Sequence, residues 1–218
     1  MSKIDIKDLW NDGKEEDWDK ALAQYWEMDS VKRQIDLEKE MNDVFRPSNL
    51  NELKNMNGEE FYSFLYSKYF VWKYTAHNRL ATTRKQLEKQ KKEDLCKIRD
   101  SLFILHDSIP DDIELILMDV QRINGLGVAG GSGLLSILFP ESFGTVDQFL
   151  VDSLCKISST MSKETATVLS QIVKENIKLE EGVFLEKLLK EQADRLNEKF
   201  SSDKWTPRKI DMVLWAYR

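Results

Sequence analysis

Three observations on the 218-residue sequence predict an all-α fold. Only 9 glycines and 4 prolines interrupt it, while 32% of its residues are charged and 41% apolar. That is the makeup of a helical globular chain rather than a disordered or all-β one. Apolar residues recur at spacings of three and four, and no stretch keeps the period of two that marks a half-buried strand. There is no internal repeat. A chain of this length buries roughly 70% of its unfolded surface, enough for a core without cross-links. It is read as one helical domain, 1–218, with an N-terminal lobe at 1–110, a central segment at 111–156 and C-terminal helices at 157–218.

From the N-terminus, Asp17 to Trp26 has helical spacing, with Trp18, Leu22, Tyr25 and Trp26 on one side as core residues. Arg46-Pro-Ser-Asn49 and Asn55-Met-Asn-Gly58 read as loops. Glu59 to Asn78 is an aromatic-rich buried helix, in which Phe61, Phe64, Leu65, Lys68, Tyr69 and Trp72 follow the three/four pattern. Arg84 to Lys92 has few large apolar residues and reads as a solvated basic helix. Leu95 to His106 is amphipathic and ends before Pro110. Asp111 to Ile123 is a helix whose first turn carries Asp111 and Asp112, the sign favoured by the helix dipole. Later helices are expected at Asp147–Lys156, Lys163–Lys174 and Gly182–Lys199. In the last helix Thr206 serves as cap and Pro207 as first residue.

Composition excludes several classes. Two cysteines, Cys96 and Cys155, and two histidines cannot form a disulfide framework or a four-cysteine zinc or iron–sulfur centre. His77 and His106 lack metal-ligand spacing, so no metal is expected. No apolar run approaches the roughly 20 residues of a bilayer span. Met1-Ser-Lys-Ile-Asp leads into no signal-peptide core. A reducing, cytoplasmic setting and a monomer without membrane contact are expected. The net charge is −6, but it is uneven. Residues 1–60 hold 9 Lys/Arg against 16 Asp/Glu, whereas residues 79–99 hold 8 against 3 and the last twenty hold 5 against 2. A negative total therefore does not exclude a local basic face for nucleic acid.

Six of the 9 glycines lie between 125 and 144, so unusual backbone geometry is concentrated there. Gly125-Leu-Gly-Val-Ala-Gly130 satisfies the dinucleotide pattern G-x-G-x-x-G, but the approach Asp119-Val-Gln-Arg-Ile-Asn124 has helical periodicity instead of the required buried strand. A P-loop is absent, because no Gly-Lys-Ser/Thr follows. A tight helix–hairpin–helix fits better. One helix ends near Ile123, Gly125 and Gly127 turn the chain, and a second helix begins at about Val128. Gly130, Gly131, Ser132 and Gly133 let it approach a neighbour closely. Glycines at a helix N-terminus expose backbone N–H groups that bind phosphate whatever the base sequence.

This segment, residues 111–152, resembles the helix-hairpin-helix DNA glycosylase superfamily, the 8-oxoguanine glycosylase-like fold. There a Gly-hydrophobic-Gly hairpin precedes a catalytic aspartate by about twenty residues, with a hydrophobic residue just before that aspartate. Gly125-Leu126-Gly127 fills the hairpin and Val146-Asp147 the aspartate position, twenty residues after Gly127. The resemblance implies a DNA glycosylase acting on duplex DNA that carries a damaged or modified base. Asp147 would be catalytic, and Gly125, Leu126, Gly127 and Ala129 would contact the DNA backbone together with Arg208 and Lys209. Arg79, Arg84 and Lys85 are secondary candidates. Bifunctional members carry a lysine where Ala129 stands, so the resemblance implies a monofunctional enzyme. Phe149 stands where a histidine is frequent. A monovalent cation at the hairpin carbonyls is the one ion it suggests. The flipped base wants aromatic walls, for which Trp72, Phe149 and Trp205 are candidates, with Tyr74 and Trp215 beside them. A repair role and an antiviral defence role both fit such a chain.

A plain structural role also fits Asp147, since Thr145-Val-Asp-Gln148 matches a capping box with Thr145 as cap. A DNA-binding protein that keeps the hairpin without catalysis, and a helical protein-interaction module whose glycines merely allow close packing, stay open on sequence grounds.

Overall fold

The computed structural model describes residues 4–44 and 50–218. Among these residues every regular element is helical, so the fold is all-α. The loop expected at 46–49 lies outside the described residues. The chain folds into two compact units: one joins Met1–Asp29 to Pro140–Arg218, and the other is Ser30–Phe139. The divisions fall after Asp29 and after Phe139, whereas composition and motifs place them at 110 and 156.

In the unit holding both ends of the chain, α1 (Ile6–Asp12) starts at Asp5, whose carboxylate accepts the Lys7 N–H at 2.8 Å. α2 (Glu15–Trp26) opens with Glu15, Glu16 and Asp17, which complement the dipole. Its Trp18 is 1% exposed and meets Trp205 edge-on at 5.6 Å, as expected for a core aromatic. α11 (Gln148–Ile157), α12 (Lys163–Gln171), α13 (Leu179–Phe200) and α14 (Pro207–Ala216) complete it. α14 is central and packs against α2, α11 and α13. It begins as predicted, with the Thr206 hydroxyl accepting the Lys209 N–H and Pro207 at the first position.

The second unit holds α3 (Lys32–Val44), α4 (Leu50–Asn55), α5 (Gly58–Phe64), α6 (Phe70–Lys73), α7 (His77–Leu87), α8 (Lys92–Ser108), α9 (Ile113–Val120) and α10 (Val128–Leu138). The aromatic stretch expected as a single helix over 59–78 differs in two ways. A π-helical turn at Leu65–Tyr69 joins α5 to α6, adding a residue to the turn and shifting the face that follows. The rod then stops at Lys73, and a new helix starts at His77. The basic helix is also shorter than its composition suggests: α7 ends at Leu87, and Lys89 and Lys91 lie in the exposed connection. α10 is buried along almost its whole length. Its small residues matter as expected, since a Cβ on Gly131 would stand 2.6 Å from the Val120 side chain.

Candidate functional site: a glycine hairpin and a helix-capping aspartate

The hairpin is built from its two helices. Asp112 caps α9 by accepting the Leu115 N–H at 3.0 Å. After Val120 the chain turns, and Gly125 adopts φ +96, a left-handed conformation costly for any residue with a Cβ. A Cβ there would also meet the Thr83 side chain at 2.8 Å. Leu126 is buried and anchors the turn. Gly127 then takes the N-cap position of α10 with no side chain to cap it. It is exposed, and nothing lies within 4 Å of where its Cβ would be. The first-turn N–H groups of α10, which have no acceptor within the helix, are therefore not screened by a cap side chain.

Side chains from neighbouring elements hold this turn. The Gln90 carboxamide donates to the Arg122 carbonyl at 2.9 Å and accepts the Asn124 N–H at 2.7 Å. The Tyr74 hydroxyl donates to the Gly125 carbonyl at 3.4 Å, and the Tyr69 hydroxyl donates to the Gly130 carbonyl. Burial pushes the Tyr74 phenol up to about 12, against the opposing charge of Arg79, so it remains a donor. The Ile123 carbonyl accepts the Leu126 N–H. The carbonyls of Arg122, Ile123 and Gly125 thus all accept protein donors.

Beside the hairpin lies a cleft of about 450 Å³ lined by Asn78, Arg79, Thr82, Thr83 and Gln86 of α7 and by Gly125, Leu126 and Gly127. None of the lining residues is acidic. Arg79 is exposed, with its guanidinium 5.7 Å from the Tyr74 ring. A cation, two carboxamides, two threonines and a bare helix start together favour an anionic oxygen. Sequence reasoning identifies the glycines but not Asn78, Thr82 or Gln86, which lie about forty residues earlier.

The aspartate sits in the other unit. Phe143, Gly144, Thr145 and Val146 are buried, and the chain emerges at Asp147, which is extended and partly exposed. Asp147 is itself the N-cap of α11: its Oδ1 accepts the N–H of Phe149 at 3.0 Å and of Leu150 at 3.3 Å. The capping box with Thr145 as cap is thereby corrected. Thr145 is buried, its N–H donates to Asp211 Oδ2 at 2.9 Å, and its hydroxyl accepts from Arg208 at 3.2 Å. Phe149 is partly exposed and lies edge-on to Trp215 at 6.1 Å. The Arg218 guanidinium lies 3.3 Å from the Trp215 ring centre and 5.1 Å from that of Phe149. Burial lowers the pKa of Arg218, and the Asp147 charge opposes that shift. A carboxylate, two aromatic rings and a cation therefore share one neighbourhood.

Other expected site residues lie elsewhere. Arg208 is not a surface cation: it is 5% exposed, paired with Asp211, and donates to the Tyr25 hydroxyl at 3.1 Å. Lys209 is partly buried, and its ammonium donates to the Lys204 carbonyl at 2.6 Å. Trp205 is a core residue against Trp18. Trp72 is buried, with its indole N–H donating to Glu38 at 3.3 Å. Packing covers both tryptophans. Arg84 donates to the Tyr66 carbonyl at 3.0 and 2.8 Å, while Lys85 is exposed. Ala129 lies in the first turn of α10, partly exposed. His77 is exposed at the start of α7, whereas His106 stacks on Phe139 at 4.0 Å, where burial lowers its pKa.

Among the described residues no three His, Cys, Asp or Glu side chains gather as a metal site, and no helix is long and apolar enough to cross a membrane. Comparison with known proteins gives no match, either to a protein-family model, to a curated protein or to a solved structure.

Proposed function

We propose that this chain is a monofunctional DNA glycosylase, which hydrolyses the N-glycosidic bond of a damaged or modified base in duplex DNA and leaves an abasic site. The observation that carries the reading is the state of Asp147. It heads a helix, it is partly exposed, and it follows the Gly125-Leu126-Gly127 hairpin at the spacing of the superfamily that the segment resembles. The hairpin and Arg79 grip the DNA backbone without regard to sequence. The target base leaves the stack to be reached, and the partly exposed Phe149 is the aromatic residue beside Asp147 proposed to meet it.

Chemistry at the sugar then needs one anion. As the C1′–N bond breaks, its electron pair leaves with the base and positive charge develops on the deoxyribose ring. The Asp147 carboxylate stabilises that charge and orients or deprotonates the water that forms the new C1′–O bond. A proton from solvent completes the departing base. Ala129 offers no amine, so no Schiff base forms and the strand stays intact. The enzyme works as a cytoplasmic monomer.

A second reading has its own support. As an N-cap, Asp147 already has a complete structural account, which fits a DNA-binding protein without catalysis. Duplex oligonucleotides, each with one oxidised, alkylated, deaminated or mismatched base, separate the two. Alkali-labile sites at one class of lesion support the glycosylase. Salt-dependent binding with no alkali-labile site in any duplex supports the second reading.

A further inference from the structure

The segment leading to Asp147 poses an accounting problem. Phe143 to Val146 is buried and carries no helical hydrogen bonding, so its backbone N–H groups need partners inside the protein. Two are supplied by acidic side chains from different helices. Glu186 of α13 is fully buried, and its Oε2 accepts the Gly144 N–H at 2.9 Å. Asp211 of α14 is 1% exposed, and its Oδ2 accepts the Thr145 N–H at 2.9 Å. Arg208 pairs with Asp211 and also donates to the Thr145 hydroxyl at 3.2 Å, which closes the network on the same turn. Gly144 permits the approach: a Cβ there would overlap the Leu189 side chain and stand 3.0 Å from the Pro207 carbonyl.

We propose that Glu186 and Asp211 are positioning residues for Asp147. Their carboxyl oxygens take consecutive N–H groups, at Gly144 and Thr145, and so fix where the chain emerges at the head of α11. The inference rests on the proposed glycosylase reading for its functional meaning, but its geometry is independent of it. Burying acidic groups costs more than burying apolar ones unless they are satisfied. The other Glu186 oxygen, Oε1, has no hydrogen-bond partner among the described residues. Burial, and next the charge of Asp211, push the Glu186 carboxyl well above the ordinary carboxylate range. A fold that only needed a packed core would gain by placing an apolar residue there. Glu186 therefore stands as a constraint on the turn.

The test compares Glu186→Met, which keeps volume but removes the acceptor, with Glu186→Gln, which keeps an oxygen for the Gly144 N–H. Ser153→Ala serves as control, since it removes a buried hydrogen bond to the Leu214 carbonyl elsewhere in the same unit. Two readouts are used. The first, independent of activity, is NMR of the Phe149 and Leu150 amides and of the Asp147 carboxyl titration. The second is single-turnover base release alongside DNA affinity. Glu186→Met should move the amide signals and the titration and slow base release about tenfold or more at unchanged DNA affinity. Glu186→Gln should restore both, and Ser153→Ala should alter neither. A folded Glu186→Met protein with unshifted amides and titration would overturn the proposal. If the Met variant does not fold, hydrogen exchange of the wild-type Gly144 and Thr145 amides decides: strong protection supports the clamp, and free exchange refutes it. If wild type releases no base, the glycosylase reading fails while the NMR readout still judges the positioning.

Discussion

Replacing Asp147 by asparagine and by alanine separates the charge of this residue from its capping role. The asparagine variant would keep an oxygen for the Phe149 and Leu150 N–H groups, which lie at 3.0 and 3.3 Å in the native protein. Asparagine caps about as well as aspartate, and only the charge–dipole term, about 0.3–1 kcal/mol, is lost. Alanine loses the cap as well, at about 1 kcal/mol, or roughly 2–4 °C in Tm for a chain of this size. Catalysis depends on the charge instead. At about 4 Å and an effective dielectric near 20, a carboxylate stabilises a unit positive charge by about 4 kcal/mol, roughly a thousandfold in rate. Asp147→Asn should therefore lower single-turnover base release about a thousandfold with Tm close to wild type and DNA affinity held or raised. Asp147→Ala should show the same rate loss and a lower Tm. Base release by Asp147→Asn within tenfold of wild type would refute the electrostatic argument. An equal loss of Tm in both variants would refute the cap.

Other consequences follow from placement. Arg79→Ala should weaken DNA binding across sequences and reduce the salt slope by about one, with Tm unchanged. Arg208→Ala should instead destabilise the fold by about 3–5 kcal/mol in denaturant unfolding, because it leaves Asp211 buried and uncompensated. Gly125→Ala should cost at least about 1 kcal/mol and weaken DNA binding, since φ is +96 and the Thr83 side chain is in the way. The raised pKa of Glu186 means that the folded state holds a proton the unfolded state releases. Its contribution is complete below the ordinary glutamate range and is lost as pH rises toward the folded pKa, by about 1.4 kcal/mol per pH unit. Glu186→Gln should flatten that decline, so its stability relative to wild type should grow as pH rises above about 4.5, measured by unfolding at several pH values.

Much of the helical pattern is legible because it depends on local periodicity. The Thr206–Pro207 start of α14, the onset of α10 at Val128 and the core role of Trp18 all follow from neighbouring residues. The π-helical turn at Leu65–Tyr69 does not, because an extra residue in one turn leaves no mark on a three/four apolar spacing. Thr145 and Asp147 are both good caps, and the choice between them is made by the burial of Phe143 to Val146, a tertiary fact. By sequence Arg208 reads as a surface cation beside a capped helix start. The signal against that is Asp211 three residues on, an opposite charge on a helix whose other residues are largely apolar. Glu186 leaves a similar trace, since it falls on the stripe Gly182, Leu185, Leu189, Ala193 and Leu196 that α13 buries. A charge on a buried stripe asks for a partner, and here the partner is backbone. The α7 side of the hairpin cleft leaves no such trace, because Asn78, Thr82 and Gln86 are exposed polar residues of an ordinary kind.

The most direct measurement is the mass of the sugar product after reaction in water enriched in oxygen-18. With a responsive modified duplex, the account predicts free base in solution, an unbroken strand, one heavy oxygen at the former glycosidic carbon, and no protein–DNA adduct after borohydride. Duplexes that bind the protein at every lesion yet return with all bases attached, or a strand that breaks through a borohydride-trapped adduct, would contradict it.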